Sequence, residues 1–107
     1  MELEFTFRNL DPSEAIKEWA GKRFKKVEKY LHGATHAHLT LSVDKHRHRA
    51  DVTIYHNGDV IRAGDESDDM YSSLDAVMSK VEQAAWRIKE RESVRQATHQ
   101  AWRGGER

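Results

Sequence analysis

The stretch 69–91, DMYSSLDAVMSKVEQAAWRIKER, decides the fold of this 107-residue chain because it carries the clearest helix pattern in the sequence. Its apolar residues recur every three or four positions, the spacing that places side chains along one side of an α-helix. They are Met70, Leu74, Val77, Met78, Val81, Ala85 and Ile88. The pattern predicts a helix with one side buried in a core.

Cations form a second line on the same predicted helix. At about 100° per residue, Lys80, Arg87 and Arg91 fall along one edge beside the apolar line. Basic residues late in a helix also complement the negative end of its macrodipole and need no ligand for that. A second basic helix, described below, shifts the interpretation toward a binding surface.

Length and composition indicate one domain with a modest core. The chain has no cysteine, which excludes disulfides and thiolate chemistry. It also has no apolar signal core and no apolar run long enough to span a bilayer, so we expect a soluble cytoplasmic protein. The formal net charge is zero, but residues 22–29 carry five cations and one acid, whereas residues 59–69 carry five acids and one cation. The neutral total therefore hides two patches of opposite sign.

The N-terminal third predicts a strand and then a helix. Leu3, Phe5 and Phe7 alternate with polar residues, which is the period of a half-buried strand. Asp11 is the predicted N-cap of the helix, with Pro12 at its first position, and Gly33 is the predicted stop. The core side of this helix carries Ile16, Ala20, Phe24, Val27 and Leu31.

The first predicted helix is basic on the side away from its apolar line. Lys22, Lys25, Lys26 and Lys29 lie there, and Arg23 lies at the margin of the apolar line. Both predicted helices therefore combine a buried side with a cationic one.

Three more strands are predicted between the helices. Leu39, Leu41 and Val43 alternate in the second strand, and residues 50–56 alternate in the third with His56 on the inner side. Residues 44–49, DKHRHR, lack glycine and are predicted as an exposed loop. Asn57-Gly58 predicts a tight hairpin, followed by a fourth strand at 60–63 and an acidic linker at 64–68 whose last aspartates cap the second helix.

The element order β-α-β-β-β-α predicts an α+β fold. Antiparallel hairpins connect the last three strands, the first strand joins at one edge, and both helices pack on one face of the four-stranded sheet. Residues 1–92 form the predicted domain, and 93–107 a helical extension and flexible tail. Neighbouring helices would turn their basic sides the same way and form one cationic surface.

Other chemistry finds little support in the sequence. Four clustered histidines, His36, His38, His46 and His48, could bind zinc or copper. However, there is no HExxH motif, and Arg47 and Arg49 would repel a cation, so solvated histidines, some assisting an RNA contact, are the favoured interpretation. No catalytic triad and no phosphate-binding glycine loop is present, so we expect no enzyme, no cofactor and no small-molecule substrate.

Trp86 points away from the apolar line of the second predicted helix. It could stack on a nucleobase, form a protein contact, or be covered by the tail that contains Trp102. The covering and protein-contact interpretations are slightly favoured.

Three segments together resemble a known family. SEAIKEWAGKRFKKVEKYL at 13–31, ADVTIYHNG at 50–58 and DMYSSLDAVMSKVEQ at 69–83 make the chain similar to the hibernation promoting factor and ribosome-associated inhibitor family, also called the sigma-54 modulation family. The similarity covers residues 1 to about 92. The run DMYxxxD combined with RFKKVEK is specific, whereas either run alone would be weak.

The resemblance implies a double-stranded-RNA-binding-domain-like fold with one added strand. It also implies binding to the small ribosomal subunit in the messenger and transfer RNA channel, which silences idle ribosomes under stress or in stationary phase. The family's RNA-contacting cations correspond to Arg23, Lys26, Lys29, Lys80 and Arg87; Lys22 and Arg91 complete the predicted RNA-binding set. Gln83 stands where family members commonly carry a basic residue. The chain resembles a short form without a dimerising C-terminal domain, and we expect a monomer when it is free.

Two functions therefore remain in competition. The leading hypothesis is that both helices dock on ribosomal RNA phosphates and inhibit translation by occupying the channel. The alternative is a protein-interaction module that uses Trp86 and the acidic segment 59–69 rather than RNA. The first predicts steep salt dependence of binding and the second predicts little. Whether the protein promotes ribosome dimers or holds single ribosomes inactive is open.

Overall fold

A computed structural model describes the backbone of residues 1–33 and 35–105, and the side chains of residues 1–33 and 35–93. The elements follow the predicted order, and the predicted α+β fold class is confirmed. They are β1 (Glu2–Arg8), α1 (Glu14–Glu28), β2 (Thr35–Asp44), β3 (Arg47–His56), β4 (Asp59–Ser67) and α2 (Met70–Gly105).

The strands form one mixed sheet in the order β1-β2-β3-β4. β1 is parallel to β2 because α1 returns the chain to the same end of the sheet, while the other neighbours are antiparallel. The register places Leu3 beside Ala37, Leu39 beside Val52, and Ile54 beside Ile61. Side chains alternate between the two faces of a strand, so this register puts the apolar residues on one face and the polar residues on the other.

Both helices bury their apolar lines against the apolar face of the sheet. The predicted core residues of α1 and α2 are buried, including Phe24, Leu74 and Val81. Leu31 is buried as well, although it lies beyond the end of α1. The opposite face of the sheet carries no helix among the described residues, and it exposes Tyr55 and Val60.

The predicted loop at 44–49 is wrong. β2 continues to Asp44 and β3 begins at Arg47, so only Lys45 and His46 form the turn. The turn contains no glycine, and Lys45 itself adopts the left-handed backbone conformation, with φ of 59°. Charged residues belong to the strands here because they pair across them: Nη2 of Arg47 lies 2.6 Å from Oε2 of Glu66 on β4.

The predicted extent of β4 is also wrong. The segment 64–68 is not a linker, because β4 pairs with β3 as far as Ser67, which lies opposite His48. Beyond the strand, Ser73 Oγ donates to the His48 carbonyl at 2.7 Å and lies 2.6 Å from Ser67 Oγ. This part-buried contact, made by the buried Ser73, joins the end of β4 to the first turn of α2.

The helix ends differ in part from the prediction. Ser13, not Asp11, is the N-cap of α1: its Oγ accepts from the Ile16 N–H at 3.2 Å. α1 ends at Glu28 with Lys29 as C-cap, several residues before Gly33. At α2 an aspartate cap was predicted from the adjacent Asp68 and Asp69, and Asp69 fills this role: its Oδ2 accepts from the Ser72 N–H at 2.9 Å.

α2 continues as a helix to Gly105. The division of the chain near residue 92 stays a prediction. Neither helix, as far as the structure describes the chain, combines the length and hydropathy that crossing a bilayer requires.

Candidate nucleic-acid interface

The outer cations are Lys22, Lys29 and Arg87, which are exposed on the sides of α1 and α2 that point away from the sheet. Helix periodicity places Lys22 and Lys29 roughly opposite the buried line of α1. Arg87 lies on the α2 edge that also carries Lys80 and Arg91, and it lines a groove together with Trp86. In the described part of the chain, none of them forms an ion pair with a carboxylate. They are therefore available to an external anion.

The junction cations, Arg23 and Lys26, lie where α1 meets α2. Arg23 Nη1 lies 2.8 Å from Asp75 Oδ1, and its Nη2 lies 2.7 Å from Glu82 Oε1. The guanidinium also lies over the Trp19 ring, 5.0 Å from its centroid. Lys26 Nζ lies 3.7 Å from Glu82 Oε2. Arg23 thus holds the two helices together as well as contributing charge.

The surroundings of Arg23 stabilise its charged form. Burial lowers its pKa, but hydrogen bonds to Asp75 and Glu82 outweigh this effect and raise the pKa above the ordinary value. The side chain is 24% exposed, so an external ligand can still approach it from one side.

The flank cations, Lys80 and Arg91, lie on the side of α2 that faces β4. Lys80 Nζ donates to the Gly64 carbonyl at 3.0 Å and lies 3.3 Å from Asp65 Oδ2. Arg91 Nη2 lies 2.7 Å from Asp59 Oδ2. The pKa of Asp65 is lowered, first by the Glu66 backbone N–H and then by Lys80. α1 contacts the other flank of α2, through Asp75 and Glu82.

The structure therefore divides the predicted surface into outer, junction and flank groups. Sequence reasoning missed the carboxylates that separate them. Asp75 and Glu82 are seven positions apart in the sequence, so they lie on one side of α2, and this spacing is a signal that could have revealed an acidic strip. Whether all the predicted residues bind RNA stays a prediction.

A shallow groove lies beside the junction, on the outer side of the helices. It is lined by Tyr30, Glu82, Gln83, Trp86 and Arg87. Trp86 is 48% exposed, and Lys89 Nζ lies 5.8 Å from the centroid of the Tyr30 ring. The groove thus combines aromatic surface with cations.

The histidines of β2 lie on the sheet face opposite the helices. His36 Nδ1 lies 3.2 Å from Glu2 Oε1, and its Nε2 lies 3.0 Å from Glu4 Oε1. The hydrogen bond to Glu2, followed by the one to Glu4, raises the pKa of His36. His38 Nε2 lies 2.7 Å from Thr6 Oγ1. Among the side chains that the structure describes, no group of three or more His, Asp or Glu is arranged to hold a metal ion.

The fold and these charges define a class of protein: a small α+β domain in which two helices with cationic outer sides lie on a mixed four-stranded sheet. Within that class, the chain belongs to the family described as Sigma 54 modulation protein / S30EA ribosomal protein, whose model matches residues 3–93. The family resemblance expected from the sequence is confirmed.

Relatives and solved structures agree with this assignment. The ribosome hibernation promoting factor of Salmonella typhimurium is 32% identical over 91 residues, which cover 85% of this chain and 96% of that protein. The factor of the same name from Escherichia coli K12 is 33% identical over 81 residues, covering 76% and 85%. The N-terminal domain of Thermus thermophilus Protein Y has a TM-score of 0.77 at 25% identity, covering 82% of this chain and 99% of that one.

Proposed function

We propose that this chain is a ribosome hibernation factor that binds the small ribosomal subunit in the messenger and transfer RNA channel. The observation that carries the proposal is the group of outer cations, Lys22, Lys29 and Arg87, on a fold shared with proteins named ribosome hibernation promoting factors. Occupation of the channel inhibits translation without any chemical step. The site of action is the cytoplasm, where ribosomes work.

The outer cations are the first to meet ribosomal RNA in this mechanism. Lysine and arginine side chains neutralise phosphates and release the counterions that those phosphates had condensed. Contacts of this kind position a protein on RNA but carry little base information. Recognition therefore depends on the shape of the RNA and on the spacing of its phosphates across the two helices.

The junction and flank cations take part by exchanging partners. Lys80 leaves Asp65 and Arg91 leaves Asp59 when a phosphate approaches, and both stay close to these carboxylates until then. The same acids weaken the alternative of a protein-interaction module built on segment 59–69. Residues 59–67 of that segment form β4, and both Asp59 and Asp65 already have cationic partners.

A double charge reversal of outer cations tests the proposal. The variant Lys29→Glu with Arg87→Glu changes two side chains that form no ion pair within the described residues, so folding should be retained. We expect cosedimentation with purified small ribosomal subunits to weaken at least about tenfold, because two attractions become repulsions.

A matched reversal on the other side of the molecule is the control. Arg8→Glu with Arg62→Glu makes the same change in net charge on the sheet face that carries no helix, where both side chains are exposed. This control should cosediment like the wild type, and circular dichroism should show both variants folded. If both variants lost affinity to the same extent, total charge rather than the outer cations would govern binding.

A further inference from the structure

We propose that the groove between Tyr30 and Trp86 binds one unpaired nucleobase of RNA, with the base stacked on the Trp86 indole. This site rests on the proposed function, since it adds a base contact to the phosphate contacts of the helices. The groove lies on the outer side of the two helices, next to Arg87 and the junction cations. A nucleotide bound through its phosphates to these cations would place its base within reach of the groove.

The residues around the groove suit the separate parts of a nucleotide. Trp86 is 48% exposed, and stacking on an aromatic ring is the usual way in which proteins hold unpaired bases. Gln83 offers an amide with both donors and an acceptor for a base edge. Arg87 can bind the attached phosphate through its guanidinium fork. Gln83 thus makes contacts to a base that a basic side chain, which only donates, would not make.

Charge favours RNA over a protein as the occupant. Lys89 lies over Tyr30, and Arg87 lies in the groove itself. The one carboxylate in the groove, Glu82, is already matched by Arg23 and Lys26. The rim is therefore cationic, which suits a polyanion.

The described backbone of residues 94–105 leads away from Trp86. α2 continues as one helix to Gly105, so residue 102 lies roughly 24 Å further along the axis at 1.5 Å per residue. The interpretation in which the segment around Trp102 folds back over Trp86 does not fit this helix. The indole therefore faces solvent or an external ligand.

Tryptophan fluorescence tests the site directly. The variant Trp19→Phe with Trp102→Phe keeps Trp86 as its one tryptophan. We expect hexaadenylate to quench its fluorescence at low salt, and an abasic ribose-phosphate oligomer of the same length to leave it unchanged. Equal quenching by both oligomers, or none up to millimolar hexaadenylate, would overturn the stacking site.

Substitution of Trp86 supplies the second readout. In the otherwise native chain, Trp86→Ala should weaken binding of labelled hexaadenylate, measured by anisotropy, roughly 5- to 150-fold, the range that base stacking gives. Trp86→Phe should keep most of the affinity. Tyr55→Ala is the matched control, because it truncates a similarly exposed aromatic ring, 49% exposed, on the opposite sheet face. Unchanged affinity in Trp86→Ala would overturn the proposal.

Failure of the site and failure of the proposed function give different results. If the native chain cosediments with small subunits but hexaadenylate does not quench Trp86, the base site is wrong and the function stands. If hexaadenylate quenches Trp86 but the native chain does not cosediment, the function is wrong. If Trp86→Ala weakens cosedimentation while its affinity for hexaadenylate is unchanged, the groove contacts a protein and the base site is wrong.

Discussion

Glu82 should have opposite effects on folding and on ribosome binding. Its carboxylate, 17% exposed, accepts from Arg23 and lies 3.7 Å from Lys26 Nζ. The variant Glu82→Gln keeps the shape of the side chain but removes its charge. The helix junction should therefore weaken while both junction cations become more available to phosphates.

The size of the stability loss follows from the partial burial of the pair. Exposed ion pairs contribute about 0.2–1 kcal/mol, and loss of one partner from a fully buried pair costs about 3–5 kcal/mol. Arg23 keeps Asp75 as a second partner, which limits the loss. We expect the free energy of unfolding to fall by about 1–2 kcal/mol, measured by urea denaturation. Thermal unfolding should move down by roughly 5–15 °C for a domain of this size.

A double-mutant cycle assigns that loss to the Arg23 contact. Arg23→Gln, Glu82→Gln and the double variant should show a coupling free energy of about 1 kcal/mol, because the two side chains are in direct contact. Glu90→Gln, which removes an exposed charge from α2 with no ion pair in the described part of the chain, is the matched control for the change in net charge.

Binding to small subunits should strengthen in Glu82→Gln. Phosphates no longer compete with this carboxylate for Arg23 and Lys26, and one repulsive charge is gone from the interface. An affinity gain of up to about fivefold corresponds to the free energy of one exposed ion pair. Unchanged affinity together with reduced stability would place the junction outside the RNA contact, and weaker affinity would make Glu82 part of the binding surface.

The remaining predictions concern stability away from the interface. The pKa of His36 is raised above 6.5, so its contacts with Glu2 and Glu4 should stabilise the fold below pH 6.5, and this contribution should disappear as pH rises through the folded pKa. Urea denaturation across this pH range should show the loss in the native chain and not in His36→Gln; equal pH dependence would exclude His36 as its source. Ser73→Ala should lower the free energy of unfolding by about 0.5–1.5 kcal/mol, because it removes the hydroxyl that donates to the part-buried His48 carbonyl at 2.7 Å. Ser79→Ala, at an exposed position of the same helix, should change it by less than about 0.5 kcal/mol, and a similar loss in both variants would contradict this assignment.

The fold was predictable because it depends on repeated patterns rather than on single residues. The apolar line of α2 recurs through five turns, and Leu39, Leu41, Val52 and Ile54 alternate within their strands. Burial of such a line against one sheet face is the dominant favourable contribution to folding, so a local departure does not change the architecture. The order of the elements and the sheet face on which the helices pack both follow from these apolar patterns.

Element ends were less predictable because they depend on partners that lie far away in the sequence. Arg47 belongs to β3 because it pairs with Asp44 on β2, and its side chain also contacts Glu66 on β4. A charged run without glycine gives no local sign of these contacts. Ser13 and Asp11 are both good N-cap residues. The choice of Ser13 places Pro12 before the helix rather than inside it.

The ion pairs of the interface were hidden for a related reason. Helix periodicity gives the direction of a side chain from its own axis, but not which neighbour it meets. Arg23 and Glu82 are 59 positions apart. The sequence therefore predicted the cations of the surface. It did not predict the carboxylates that divide that surface into separate groups.

The salt dependence of ribosome binding should reveal this division. Each phosphate neutralised by a free cation releases condensed counterions. On a double helix with the charge density of B-DNA, this gives a slope of about −0.9 per contact when the logarithm of affinity is plotted against that of salt concentration. When a cation leaves its own carboxylate to bind a phosphate, that carboxylate becomes free and takes up a counterion. This uptake cancels part of the counterion release from the RNA. If the outer cations alone contribute fully, three contacts give a slope of about −2.7, whereas all seven predicted cations acting freely would give about −6. A measured slope near −6 would refute the exchange of partners at Lys80 and Arg91, and a slope near −3 that steepens in Asp65→Asn would support it, because that variant removes the acid 3.3 Å from Lys80.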